Sequence, residues 1–147
     1  MAFAFPVRVY WEDTDAGGIV FYANYLKFFE RARTEWLRSL GIGQQRLREE
    51  TGGMFVVTGT SLRYHRPARL DDELLVTATL QETGRASLTI AQRALLRPAA
   101  GAPAPAALAP AADPVVLCEG TIRIGWVEAA SMRPGRIPSS LLEALAP

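Results

Sequence analysis

Apolar and polar side chains alternate over residues 7–11, with Val7, Val9 and Trp11 on one side and Arg8 and Tyr10 on the other. A period of two predicts a half-buried strand. Residues 13–18 (DTDAGG) end the alternation with turn chemistry, and the two glycines are free to take positive φ. Over residues 24–40 the spacing becomes helical. Tyr25, Phe28, Phe29, Ala32, Trp36 and Leu40 share one stripe, and Lys27, Arg31, Arg33 and Arg38 fall largely off it. A stripe this wide and aromatic belongs to a helix swallowed by a sheet, with Gly41 as its stop. A short helix over residues 44–50 follows, ended by Gly52-Gly53. Residues 54–64, 73–82, 87–96 and 115–128 are β-branched or alternating and read as strands. Residues 139–145 add a terminal helical turn, with Ser139 or Ser140 as N-cap.

Strand, long helix, then four antiparallel strands is an α+β order: one helix packed on one face of a curved five-stranded sheet. The 147 residues suit a single domain spanning residues 1–147. Residues 98–114 interrupt it with nine Ala and five Pro in seventeen positions, a density of proline that forbids a helix. We expect a mobile loop there. A sheet with one covered face leaves an edge strand to be paired, and dimerisation is the usual remedy.

Composition narrows the function by exclusion. Lys+Arg is 16 against Asp+Glu 15, a net charge of +1 that argues against a nucleic-acid binder working through bulk charge. One cysteine, Cys118, forms no internal disulfide or metal cluster, and one histidine, His65, excludes any site needing two within a chain. The apolar stretches fall short of the ~18–20 residues that span a bilayer. The first fifteen residues lack a basic segment followed by a long apolar one, so a secretory leader is not expected and a cytoplasmic location is.

The candidate chemistry lies in Glu12-Asp13-Thr14-Asp15, which places three carboxylates in four residues at a strand end. Charge alone suggests a solvated acidic turn. The sequel points elsewhere: Ala16-Gly17-Gly18, the apolar Ile19-Val20-Phe21-Tyr22, then the helix. A carboxylate on a loop entering a buried helix has free first-turn N–H groups beside it for an oxyanion, and can itself attack or deprotonate water. Apolar neighbours are expected to keep the site dry. Asp13 is expected to hold the turn rather than catalyse, Glu30 and Glu35 to pair with nearby arginines, and Cys118 to sit in or near the core.

The run VYWEDTDAGGIVFYANYLKFFERARTE (residues 9–35) closely resembles the signature of hotdog-fold acyl-CoA thioesterases. Among these it is most similar to the 4-hydroxybenzoyl-CoA thioesterase-like branch and its YbgC-type, Tol-Pal-associated members. The likeness continues through RYHRPARLDDEL (residues 63–74) and covers nearly all of the chain except 98–114. It implies a hotdog fold, a five-stranded antiparallel sheet wrapped around one long central helix. It also implies hydrolysis of an acyl-CoA thioester without a metal or cofactor, coenzyme A being part of the substrate. Asp15 matches the catalytic carboxylate, nucleophile or general base, and Tyr22 matches the residue whose backbone N–H polarises the thioester carbonyl. Gly17, Val20, Tyr25, His65 and Arg66 are candidate substrate-binding residues, and Arg63, Arg69, Arg133 and Arg136 join Arg66 as candidates for the CoA phosphates. YbgC-type proteins commonly carry His where this chain has Tyr22, so any help from an imidazole is absent. The resemblance further implies a homodimer, often paired into a tetramer, and a functional link to the Tol-Pal envelope system. A hotdog dehydratase is disfavoured, since neither His-x-x-x-Pro-Gly nor Asp-x-Asn-x-x-His occurs. A non-catalytic acyl-CoA-binding or scaffold protein is the remaining alternative, against which the retained Asp15 and glycine loop weigh.

Overall fold

The computed structural model describes residues 3–98 and 114–146. Five strands form one antiparallel sheet in the order β1-β3-β4-β5-β2. They are β1 (Phe3–Arg8), β2 (Gly53–Tyr64), β3 (Glu73–Thr83), β4 (Ser87–Leu96) and β5 (Val115–Glu128). The long helix α1 (Asn24–Ser39) packs against β1, β3 and β4, and α2 (Gln44–Thr51) and α3 (Ser139–Leu145) complete the fold. The interval 98–114 expected to be a loop lies, but for its two end residues, outside the described residues.

The core follows the two periods read from the sequence. Leu74, Val76 and Ala78 of β3 and Leu88, Ile90 and Ala94 of β4 are buried at every second position. They meet Tyr25, Phe28, Phe29, Ala32 and Trp36 of α1 in one cluster. Phe28 and Phe29 are fully buried, each worth about 1.5–3 kcal/mol relative to exposure. The C-terminus of α1 closes as a Schellman motif: Gly41 takes φ +82° and donates to the Arg38 carbonyl, while Ile42 donates to that of Leu37.

Four expectations need correction. The first strand is Phe3–Arg8 rather than 7–11, because the Asp13 carboxylate captures the Tyr10 N–H and winds Trp11–Asp13 into a 3₁₀ turn. Trp11 therefore stands 83% exposed, while Val7 and Val9 are buried. On α1, Leu40 lies beyond the helix end and is exposed, its place in the core taken by Leu37. Neither Ser139 nor Ser140 caps α3; Pro138 occupies the cap position and its carbonyl accepts from Leu141 and Leu142.

The fourth concerns Arg33, which lies within the buried face of α1 at 8% exposure. Its Nη1 donates to Gln92 Oε1 at 2.9 Å, and Gln92 Nε2 donates to the carbonyls of Phe29 (3.0 Å) and Thr77 (3.2 Å). One amide thus ties α1 to β3 and β4. Burial lowers the guanidinium pKa, partly opposed by the charge of Glu30. Gln92→Leu leaves Arg33 and two carbonyls without that partner, and we expect a loss of about 1–3 kcal/mol, toward the upper end because a charge is stranded. Urea unfolding measures it. Arg33→Leu combined with Gln92→Leu should recover part of the loss; a double variant as unstable as the sum of the singles would show that the two side chains act separately.

Candidate active site

Between β1 and α1 the chain folds into a small ladder. The Asp15 N–H donates to the Ile19 carbonyl (2.8 Å), Gly18 donates to that of Asp15 (3.0 Å), and Thr14 bridges Val20. Of the two glycines only Gly18 takes positive φ, +77°. Gly17 instead donates its N–H to Asp15 Oδ1 at 2.8 Å, and a Cβ on it would stand 3.2 Å from that oxygen. Asp15 is exposed, so it combines a fixed oxygen with access to the outside.

Asp13, two residues earlier, is 5% exposed. Its Oδ2 accepts from the Tyr10 N–H (2.8 Å), and its carbonyl accepts from the Phe21 N–H and the Asn24 side-chain amide, both at 2.9 Å. The expected turn role is what these bonds describe. Asn24 was not singled out in the sequence; an Asn at a helix start was the only signal available.

The first turn of α1 is tightened. Asn24 donates to Phe21 and Leu26 to Ala23, each three residues back rather than four. The N–H groups of Tyr22, Ala23 and Tyr25 have no acceptor among the described residues, which leaves three donors unspent at the positive end of the helix. The Tyr22 ring is 64% exposed.

A second segment lies along this one. Val20 donates to the Ala68 carbonyl (2.9 Å), Ile19 bridges Arg69, and the Ala68 N–H donates to the Tyr25 hydroxyl (3.2 Å). Tyr64, at the end of β2, reaches over: its hydroxyl donates to the Tyr22 carbonyl at 3.0 Å, and its ring lies edge-on to Tyr22 (6.3 Å) and Tyr25 (5.8 Å). Val20 and Tyr25 are core residues, at 4% and 3% exposure. Burial raises the Tyr25 phenol pKa, partly offset by its bond to the Ala68 amide. His65 and Arg66 are exposed, both donating backbone N–H to the Leu117 carbonyl, and His65 Nε2 lies 3.6 Å from Glu119. Arg63, Arg69, Arg133 and Arg136 are also exposed.

Other candidates resolve into structure. Glu35 pairs with Arg38, while Glu30 makes no ion pair among the described residues. Cys118 is buried opposite Tyr64, and burial pushes its thiol pKa up to about 12, far from thiolate chemistry. The expectation of a dry site is not met within one chain, since residues 15–18, Phe21 and Tyr22 are all open.

Comparison with known proteins decides the family. The Thioesterase superfamily model matches residues 17–97, beginning two positions after Asp15. The chain is 40% identical over 142 residues to acyl-CoA thioesterase YbgC of Haemophilus influenzae, covering 97% of this chain and 93% of that one. The chain is a hotdog-fold acyl-CoA thioesterase of the YbgC-like branch. The Helicobacter pylori YbgC thioesterase is 31% identical over 144 residues, covering 94% of this chain and 96% of the relative. A crystal structure of a hypothetical protein from Aquifex aeolicus superposes with a TM-score of 0.79 at 26% identity, over 98% of this chain and 99% of that one. The thioesterase thus carries the hotdog architecture, and among its described residues no helix is long and apolar enough to cross a membrane.

Proposed function

We propose that this thioesterase hydrolyses its acyl-CoA substrate with the Asp15 carboxylate and the Tyr22 backbone N–H. The observation that carries the reading is the unspent N–H at the start of α1, on the same short ladder that holds Asp15 by one oxygen. The Tyr22 N–H donates to the thioester carbonyl and stabilises the oxyanion as it forms. Asp15 then acts in one of two ways. As general base it takes a proton from water, whose oxygen adds to the carbonyl carbon. As nucleophile it adds directly, and the resulting anhydride is hydrolysed. Either way the tetrahedral centre collapses by breaking the carbon–sulfur bond, and CoA leaves as a thiolate that is protonated. The exposed arginines around residues 63–69 supply charge for the CoA phosphates. The Tol-Pal link carries over from the resemblance in residues 9–35.

Asp15→Asn keeps the shape and removes the charge, so turnover on an acyl-CoA panel, followed by free-thiol release, should fall on the order of 10²–10⁴-fold. Asp13→Asn retains an acceptor for the Tyr10 N–H and should cost far less. Equal losses in the two variants would move the catalytic role away from Asp15.

The proposed assembly is a homodimer, with dimers pairing further. It is supported by the outer edge of β2, which has no strand partner among the described residues, and by the openness of the site in one chain. Two copies joined along β2 make a continuous sheet and bring a partner surface to each Asp15. Activity per chain should therefore fall on dilution, in step with dissociation seen by sedimentation. A fully active 16.0 kDa species would contradict the shared site.

A further inference from the structure

The Tyr22 carbonyl is an acceptor that the helix has abandoned. In a regular α-helix it would take the N–H four residues on, that of Leu26, but Leu26 donates to Ala23. The donor it has instead is the Tyr64 hydroxyl, 3.0 Å away. This carbonyl shares a peptide plane with the Ala23 N–H, and the peptide is trans, so oxygen and hydrogen point in opposite directions. Fixing the oxygen fixes the direction of the N–H. A hydrogen bond to the carbonyl also polarises the peptide and makes its N–H a stronger donor. The Ala23 N–H has no acceptor among the described residues and lies next to that of Tyr22.

We infer that Tyr64 is a positioning residue that holds the Tyr22–Ala23 peptide so that the Ala23 N–H serves as a second oxyanion donor beside that of Tyr22. The inference rests on the oxyanion role proposed for the start of α1. Tyr64 does not touch the reacting atoms; it acts through the peptide. Its ring is fixed for this by edge contacts to Tyr22 and Tyr25, and its backbone by pairing with Cys118 on β5. Partial burial, reinforced by Cys118 and Tyr22, raises the phenol pKa above its ordinary value. The site thereby draws on the end of β2, the strand whose other edge is left open for a partner.

The test pairs two changes. Tyr64→Phe keeps the ring contacts and removes the bond; kcat should fall about five- to tenfold, the size of one neutral hydrogen bond, with KM and thermal midpoint near the parent. Ala23→L-lactate, which replaces the N–H by an ester oxygen, should lower kcat by about 10²-fold. In the lactate background Tyr64→Phe should cost nothing further, because the group it aims is gone. The pH–rate profile of Tyr64→Phe should keep the parent shape. Equal losses from Tyr64→Phe in both backgrounds, an unchanged kcat in either single change, or loss of the basic limb of the profile would each overturn the inference. Asp15→Asn assayed alongside separates the two readings: if it retains turnover, the carboxylate mechanism fails whatever Tyr64 does.

Discussion

The chemistry proposed for this chain depends on how the first turn of α1 is held. A buried helix ordinarily has its leading N–H groups satisfied by a side-chain cap. Here the Asn24 side chain is turned the other way, donating to the Asp13 carbonyl, and no side chain caps the turn. Asp13 accepts Phe21 and Asn24 at one carbonyl, Tyr64 takes the Tyr22 carbonyl, and among the described residues the N–H groups of Tyr22, Ala23 and Tyr25 are left over. The helix is anchored by its acceptors and its neighbours, so its donors remain free for a substrate. Its middle is fixed separately, by the Gln92 amide between the Phe29 and Thr77 carbonyls. A helix seated at both places can present unsatisfied polar groups without sliding to satisfy them.

Burial and exposure are divided between two neighbouring carboxylates. Asp13 is buried, with one carboxylate oxygen on the Tyr10 N–H and its carbonyl on the Phe21 N–H and the Asn24 amide. Asp15 is exposed and has one oxygen on the Gly17 N–H. Same side chain, two residues apart, yet one is committed to the fold and the other is available. The left-handed Gly18 lets the loop reverse through Ala16 and Gly17, with Asp15 at the start of the turn.

Much of the fold was legible because its signals are local. Residues 87–96, 115–128 and 139–145 form the expected elements with the expected bounds, set by alternation and by flanking Gly and Pro. The five-stranded antiparallel sheet was also expected. What failed was decided by side chains reaching across the chain. Asp13 shortened the first strand by capturing Tyr10, and Gln92 brought Arg33 into the core, where helical spacing alone had placed it outside. The site divides the same way. The carboxylate loop and helix start could be read along residues 12–25, whereas Tyr64 enters from 42 residues away and nothing in its local pattern announces that. The openness of the loop in a single chain was not legible at all, since exposure depends on what covers it.

In the proposed mechanism the free N–H groups at the start of α1 polarise the thioester carbonyl. Difference infrared spectroscopy of a carbonyl-¹³C acyl-CoA bound to Asp15→Asn reads this bond directly, the variant holding the substrate without turning it over. The carbonyl stretch should lie at lower wavenumber than for the same thioester in water, and move back when the Ala23 N–H is replaced by an ester oxygen. A bound carbonyl stretch no lower than that in water would contradict it.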